Sequence, residues 1–570
     1  MSPPTPETKN DTDHGHELPS STSASGPGDE KDLAYATPLR LTMIMCTLSL
    51  STLIAALDLV SLPTVLPRRG IVATAIPKIT SDFHALDHIG WYSGACFLLV
   101  GTTSAPWGKM YKYFSATYIY MTALGLYLVG SVVAAAAPSS IALIIGRALQ
   151  GWGCAGTLGG SVLIINFTAE PKLRPMLIGL WMSVFMIATT IGPLIGGVFT
   201  SEVNWRWCFW VNLPVGGTAM ALQFLFLRMP KHIKPTPATW TKILLHLDLP
   251  GWTLLFTSVI CFLLAMEWGG LAKEWSDGAV IATLTLWVVL SLAFVAVEWF
   301  QGDFAMMPLR LLKSRTSWSH LLYAWIANLG NFQILFYLPI YFQSVHGSSA
   351  IMSGVYSLPF MAFYAFGAIV SGILVGKTRL LQPIELVSGL ITMLGAALIY
   401  CIDTGTPKAW WIGAQVPFGL GIGLGNQVPV TALQGFATPE TVAATMGVAF
   451  SELYGVDCSD LCQAISGAYF VSAGNSIFNN YMLKTLSVTA PQLNSSEISY
   501  MGVTELKNAF HGEDLALIRQ AYMVGIKDVF AFALAGACLT VVLALIVPFE
   551  KLPDHEAKKD EDKEAADKAS

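Results

Sequence analysis

Fourteen long apolar runs, each bounded by charged residues, Gly or Pro, dominate this sequence of 570 residues. A transmembrane α-helix needs about 20 mostly apolar residues to cross the hydrocarbon core of a bilayer. The runs lie near residues 41–66, 90–107, 115–137, 140–166, 176–200, 207–228, 248–267, 278–300, 317–343, 351–375, 383–402, 409–433, 441–480 and 525–548. We therefore predict an all-α polytopic membrane protein with 14 transmembrane helices.

The composition excludes several other classes of protein. Charged residues make up 12% of the chain, against about a quarter in a soluble globular protein. The apolar runs are continuous rather than alternating, which is unlike the strands of an outer-membrane barrel. The net charge of −5 excludes a strongly basic nucleic-acid-binding protein. We expect a lipid bilayer around the chain and no nucleic-acid partner.

Lys and Arg residues are unevenly divided between the loops that connect the runs. With the N-terminus inside, thirteen of them fall in inner loops and four in short outer loops. Cytoplasmic loops are enriched in these residues, so both termini are predicted to be cytoplasmic. Residues 1–38 should form a disordered tail, and residues 550–570 a charged tail that is disordered or a solvated helix.

A glycine-rich stretch, Gly151 to Gly156, has the G-x-G-x-x-G spacing of a dinucleotide-binding loop. Such a loop follows a strand and precedes an acidic residue that binds ribose, whereas this one lies inside an apolar run. We interpret its small residues as a surface where two membrane helices approach closely. The sequence has no Walker A motif and no metal-ligand or nucleophile cluster. We expect no enzyme activity, no cofactor and no ATP-driven transport.

Asp58 and Arg147 are the charged residues most clearly embedded in apolar runs. A charge at the centre of a bilayer costs at least about 2.5–3.5 kcal/mol, so each is a candidate functional residue. Arg147 either couples protonation to helix movement or ties its helix to carbonyl groups of a neighbour. Asp58 either titrates during a transport cycle or caps its helix beside Pro63. The residues alone leave these alternatives open.

The fifth run contains a Pro residue flanked by glycines, in Ile191-Gly-Pro-Leu-Ile-Gly-Gly197. Proline removes a backbone donor, and glycine allows helices to pack closely. Gly192, Pro193, Gly196 and Gly197 therefore suit a gate helix, with ordinary small-residue packing as the alternative.

Several of these stretches resemble motifs of one transporter family. Residues Gly146 to Gly153 look like the fourth-span motif of the major facilitator superfamily, and Gly192 to Gly197 like the fifth-span motif of its antiporters. Other similar stretches follow the family's order, at residues 71–77, 205–214, 338–343 and 353–359. Over roughly residues 40–550, the chain resembles the fourteen-span drug:proton antiporter branch, in its fungal toxin and multidrug efflux pump form.

The resemblance implies two six-helix halves, two extra central helices and a substrate cavity between the halves. It implies that Arg147 takes part in proton transfer and that Asp58 is the acidic residue of the first span. It also implies that Gly192, Pro193, Gly196 and Gly197 shape an antiport gate.

The expected domain boundaries follow from the runs and the resemblance. They are a tail at 1–38, the N-terminal half at 39–230, two additional spans with cytoplasmic linkers at 231–316, the C-terminal half at 317–549 and a tail at 550–570. The C-terminal half includes an extracellular loop at 482–524. In that loop Asn494 begins an Asn-Ser-Ser triplet, which makes it a candidate glycosylation site.

We expect a proton-coupled efflux transporter that exports hydrophobic or amphipathic small molecules, such as drugs, toxins or fungal secondary metabolites, by alternating access. Its partners would be the substrate, protons and lipid, and it would act as a monomer. The plasma membrane is the expected location, with the vacuolar membrane as the alternative. Other functions left open are transport of a specific solute, such as a siderophore or a basic amino acid, and a non-transporting sensor or inactive carrier.

Two segments depart from the family pattern. Residues 59–70 separate Asp58 from Ile71, where the family motif has two residues between the acid and the next conserved stretch. Residues 453–460 split a stretch that should form one helix. Our hypothesis is that both are unspliced intron sequence, because each interrupts a motif that is continuous without it. A genuine insertion that forms a kinked or re-entrant segment is the rival.

The intron hypothesis predicts that mature messenger RNA lacks the codons for both segments. Sequencing the transcript measures this directly. Transcripts that retain both segments, and that encode a protein with intact transport, would contradict it.

Overall fold

The computed structural model describes residues 36–59, 91–170, 173–199, 203–227, 237–270, 273–306, 313–435, 448–492 and 510–552, together with residues 83, 229 and 235. This part of the chain contains seventeen α-helices and no strand, only two isolated β-bridges. The helices are α1 (Pro38–Leu59), α2 (Trp91–Tyr113), α3 (Ala116–Ala135), α4 (Ser140–Thr168), α5 (Arg174–Val198), α6 (Trp207–Trp210), α7 (Asn212–Phe226), α8 (Trp240–His246), α9 (Leu249–Trp268), α10 (Gly278–Gln301), α11 (Arg315–Ser344), α12 (Ala350–Thr378), α13 (Gln382–Tyr400), α14 (Lys408–Gly425), α15 (Val428–Gly435), α16 (Val448–Thr489) and α17 (Gly512–Ile546).

These helices occupy the fourteen apolar runs of the sequence. Within the described residues, ten helical segments are long and apolar enough to cross a membrane. The other four runs hold α2, α5, α14 with α15, and α16. The predicted all-α polytopic membrane fold is confirmed.

Helices extend into the segment at 482–524 that is expected to be an extracellular loop. Helix α16 continues to Thr489, and α17 begins at Gly512. The start of α17 is too polar to count as an apolar run, but Glu513 and Asp514 lie in its first turn, where acidic residues favour a helix. The first turns of α17 also have a buried side, which includes Ile518. The apolar runs did not locate this part of α17 because it is not continuously apolar.

Helix α16 runs through residues 453–460 without a break. Its 42 residues correspond to about 63 Å at 1.5 Å per residue, twice the thickness of a hydrocarbon core. The segment therefore lengthens this helix and does not divide it. Residues 60–70 of the other departing segment, Asn494 and residues 553–570 lie outside the described residues, as do residues 1–35 of the N-terminal tail.

Small residues bring α3 and α4 into backbone contact. A Cβ atom placed on Gly130 would lie 2.5 Å from the Gln150 backbone nitrogen, and one on Gly146 would lie 2.6 Å from the Ala134 nitrogen. Gly153 likewise approaches the backbone of α3, at Tyr127. The glycine-rich stretch thus lies in a helix and packs against a neighbouring helix, as interpreted from the sequence.

The N-terminal and C-terminal halves meet closely between α5 and α12. A Cβ atom on Gly372 would lie 2.5 Å from the Pro175 carbonyl oxygen, and one on Gly179 would lie 2.6 Å from the Ala368 carbonyl oxygen. One turn deeper, the Ser183 hydroxyl donates to a carbonyl of α12 at 3.2 Å. These contacts lie at the end of the bundle predicted to face the cytoplasm, so the halves are closed against each other there.

A junction of buried charges joins α2 to the two extra helices at the same end. The Lys109 ammonium donates to the carbonyl oxygens of Phe304 and Ala305, at 2.9 and 2.7 Å. Asp248 caps α9 and accepts a hydrogen bond from the Met306 backbone at 2.9 Å. Lys109 and Asp248 are 3% and 1% exposed. The sequence pattern alone predicted no role for either residue.

The close approach of α5 and α12 leaves no space for a side chain at Gly372. We predict that Gly372→Val lowers the stability of the purified protein by about 1–3 kcal/mol, the usual cost of overpacking, seen as a lower melting temperature. Gly413→Val is the matched control, because Gly413 lies within α14 with nothing near its Cβ position. Equal melting temperatures for the two variants would contradict the packing described.

Candidate functional site

The structure brings the two embedded charges together. Asp58 lies near the end of α1 and Arg147 in the second turn of α4, 89 residues apart in the chain. Arg147 Nη1 lies 2.7 Å from Asp58 Oδ1, and the two side chains are 0% and 2% exposed. Arg147 Nη2 also donates to the Asp58 carbonyl oxygen at 3.2 Å. The two candidates form one buried ion pair.

Two further hydrogen bonds of Arg147 go to neighbouring groups. Its Nε donates to the Tyr92 carbonyl oxygen at 2.9 Å, and Nη1 donates to Gln150 Oε1 at 3.1 Å. Its guanidinium carbon lies 5.9 Å from the centre of the Phe209 ring, within range of a cation–π interaction. Gln150 in turn donates to the Ser131 hydroxyl at 2.8 Å. A buried charge with this many partners fits the rule that such groups need pairing and hydrogen bonds.

Asp58 uses its second carboxylate oxygen as well. The Tyr127 hydroxyl lies 3.2 Å from Asp58 Oδ2 and 2.9 Å from the Ile54 carbonyl oxygen, and its one hydrogen is shared between these two acceptors. Ser131 donates to the Tyr127 carbonyl oxygen at 3.1 Å, and Asn212 reaches Ser131 at 3.4 Å. The network therefore joins α1, α2, α3, α4 and α7, so a change in one charge affects five helices of the N-terminal half.

The pair differs chemically from two ordinary polar partners. Arginine keeps its charge at every accessible pH, whereas a carboxylate can bind a proton. Protonation of Asp58 would leave the Arg147 charge buried without its counter-charge, and a buried pair that loses one partner is strongly destabilised. The arrangement can thus convert proton binding into a rearrangement of the helices.

The glycine–proline motif of α5 lies beside this pair. A Cβ atom on Gly192 would lie 3.2 Å from the carbonyl oxygen of Leu57, the residue before Asp58. Pro193, Gly196 and Gly197 follow on the same helix. Helix α5 therefore contacts both α1 at the ion pair and α12 of the other half.

A small cavity lies between α2, α9 and α16. Its volume is about 40 Å³, and its lining residues are Trp91, Gly94, Leu263, Met266, Glu267, Ser472 and Asn475. That volume exceeds the roughly 10–15 Å³ that one water molecule needs, so the cavity is large enough for water. No group of three or more potential metal ligands occurs among the described residues.

A second buried pair of ionisable residues was missed by the sequence reasoning. His320 Nδ1 lies 2.8 Å from Glu385 Oε1, with side-chain exposures of 1% and 0%. Both residues lie within predicted spans, but histidine was not counted as a charge. Glu385 falls close to the start of its run, where an acidic residue looks like a boundary. Counting His residues inside apolar runs would have found the pair.

A sequence model described as the Major Facilitator Superfamily matches residues 48–452. The chain belongs to this superfamily. The prediction of a polytopic transporter that is not an enzyme is therefore confirmed.

Curated relatives cover nearly the whole chain. An efflux pump, notK of Aspergillus sp. (strain MF297-2), is 61% identical over 91% of this chain and 89% of its own length. A dehydrocurvularin exporter of Alternaria cinerariae is 51% identical over 96% of this chain and 90% of its own. A dehydrocurvularin exporter of Aspergillus terreus is 50% identical over 97% and 93%. The predicted class, a fungal-type efflux transporter of the superfamily, is confirmed.

The fold is similar to that of a solved member of the superfamily. The proton:xylose symporter XylE, bound to 6-bromo-6-deoxy-D-glucose, matches 91% of this chain and 98% of its own, with a TM-score of 0.50 and 13% identity. At this identity the likeness describes the fold alone.

The buried pair predicts strong energetic coupling between Asp58 and Arg147. Asp58→Asn and Arg147→Gln should each destabilise the protein by about 3–5 kcal/mol, because each leaves one buried charge uncompensated. The double variant should lose much less stability than the sum of the losses in the two single variants. Melting temperatures of the unsubstituted protein, the two single variants and the double variant measure this difference.

The matched control is the exposed pair Lys273–Asp277, at 3.8 Å, where a coupling of about 0.2–1 kcal/mol is expected. Coupling at Asp58–Arg147 no larger than in the control would contradict the role of the ion pair in the fold.

Proposed function

We propose that the protein is a proton-coupled exporter of a hydrophobic or amphipathic secondary metabolite. Two relatives at 50% and 51% identity are named dehydrocurvularin exporters, and a third at 61% is named an efflux pump. These names favour export over the uptake of a siderophore or a basic amino acid. We take dehydrocurvularin itself as the first compound to test.

The observation that carries the coupling is the buried Asp58–Arg147 pair, with 2.7 Å between Arg147 Nη1 and Asp58 Oδ1. In the predicted orientation α1 enters from the cytoplasm, so Asp58 lies toward the outer side. A proton arriving from outside would neutralise Asp58 and release Arg147 from its counter-charge. The helices that the network joins would then rearrange, and deprotonation would reset them.

The energy available is sufficient for uphill export. Each proton that enters down a potential of 100 mV contributes about 2.3 kcal/mol, which corresponds to roughly a fiftyfold concentration ratio.

Alternating access would use the contact between α5 and α12. With Gly372 against Pro175, the halves are closed at the end predicted to be cytoplasmic, and the substrate path between the halves would be open only toward the outside. Separation of these helices would open the inner side. Gly192, Pro193, Gly196 and Gly197 place the gate motif on the same helix that contacts the ion pair, which supports a link between protonation and gating.

The remaining assignments follow from the sequence. We place the transporter in the plasma membrane as a monomer with both termini in the cytoplasm, with the vacuolar membrane as the alternative location. The segment between α16 and α17 would then be extracellular, where Asn494 is available for glycosylation.

Proteoliposomes test the proposal. An imposed pH gradient should drive dehydrocurvularin against its concentration gradient, and a protonophore should abolish this movement. Arg147→Ala should reduce gradient-driven transport at least about tenfold, since the pair no longer exists, while Lys273→Ala at an exposed position should leave it unchanged.

Transport that persists at full rate without a proton gradient would contradict antiport. If the compound moves under none of the imposed gradients, export is contradicted and an inactive carrier or sensor is favoured.

A further inference from the structure

The His320–Glu385 pair is a second titratable site, distant in sequence from the first. His320 lies in the second turn of α11, and Glu385 in the first turn of α13. Both positions are at the end of the C-terminal half that is predicted to face the cytoplasm. The side chains are 1% and 0% exposed, with 2.8 Å between Nδ1 and Oε1. Neither residue belongs to a motif of the sequence analysis.

The pair is part of a connection between three helices. The Tyr323 hydroxyl of α11 lies 3.2 Å from the Glu385 carbonyl oxygen and 3.2 Å from the Ser388 hydroxyl of α13. Ser388 donates to the Gly421 carbonyl oxygen of α14 at 2.7 Å. A change in the charge of the pair therefore acts where α11, α13 and α14 meet.

Tyr323 also bonds to Glu385, at its carbonyl oxygen. Further ionisable groups of the described residues on the packed elements include Arg315 of α11, Lys377 of α12, Lys408 at the far end of α14, Tyr469 of α16, Cys538 of α17 and Glu550 beyond α17. Arg315 donates to the Ile546 carbonyl oxygen at 2.9 Å, and Glu550 accepts from Thr316 at 3.0 Å.

Glu385 also has an open position for a proton. Its second oxygen, Oε2, is buried and has no hydrogen-bond partner, whereas both carboxylate oxygens of Asp58 are engaged. Its partner is a histidine, whose ring can bind or release a proton, and not an arginine with a permanent charge. Proton exchange at this pair is therefore chemically easier than at the first pair.

We propose that His320 and Glu385 form a second proton-binding site of the carrier, in its C-terminal half. Loading adds one proton, taken from water, to Glu385 Oε2, while the contact between His320 Nδ1 and Glu385 Oε1 keeps the two side chains together. Release of that proton toward the cytoplasmic side returns the carboxylate to its place beside His320 and strengthens the connection of α11 to α13. The role in transport rests on the proton-coupled export proposed above, but proton binding itself does not.

Infrared spectroscopy of the purified full-length protein tests proton binding without any substrate. A carboxylic acid C=O band should grow as the pH is lowered through the range in which the protein stays folded. The band should be missing from Glu385→Gln, and its midpoint should move by at least about one pH unit in His320→Gln. Glu513→Gln, at an exposed residue of α17, should leave it unchanged. A spectrum of Glu385→Gln identical to that of the unsubstituted protein over this range would overturn the proposal.

Two transport assays separate a proton site from a structural support. Exchange of labelled for unlabelled dehydrocurvularin needs no net proton movement, so Glu385→Gln should retain it within about twofold. Export driven by a pH gradient should fall at least about tenfold in the same variant. A parallel loss of both activities, or a loss of neither, would overturn the role in coupling. Failure of the export proposal is distinguishable, because the unsubstituted protein would then show no gradient-driven export.

Discussion

A charge inside a bilayer needs its partners within the protein, and the N-terminal half is organised around that requirement. The guanidinium of Arg147 has no access to water, and its hydrogen bonds go to Asp58, Gln150 and the Tyr92 carbonyl oxygen. These partners come from α1, α2 and α4 itself. Because a buried charge without a partner is far more costly than any one of these contacts, the positions of the helices depend on the pair.

A change at the ion pair affects neighbouring helices because the helices are in backbone contact with one another. Gly130 and Gly146 bring α3 and α4 into backbone contact, and Gly372 does the same for α5 and α12. Closely packed helices move as bodies and do not deform locally. A change of charge at Asp58 would therefore act on whole helices, and α5 extends from the ion pair to the contact between the halves. The His320–Glu385 pair provides a comparable connection in the C-terminal half.

Much of this was predictable from local sequence. Runs of apolar residues located the long helices of the described residues, ten of which are long and apolar enough to cross a membrane, because a bilayer of given thickness sets the length of a spanning helix. Asp58 and Arg147 could each be selected as costly intramembrane charges. Their pairing could not be predicted, because it depends on which helices are neighbours across 89 residues of chain.

The omissions have equally specific causes. His320 was missed because its charge depends on its surroundings, and Lys109 because its acceptors are carbonyl groups of a distant linker. The polar first turns of α17 were taken for a loop because amphipathic helices do not form continuous apolar runs.

The most direct test of the account measures protons and substrate together. Proteoliposomes with a trapped pH-sensitive dye and no initial pH gradient would receive an inward gradient of dehydrocurvularin. Coupling through Asp58 and Arg147 predicts an outward movement of protons as the compound enters, and no proton movement for Asp58→Asn. Entry of the compound through the unsubstituted protein with no change in internal pH would contradict the central claim.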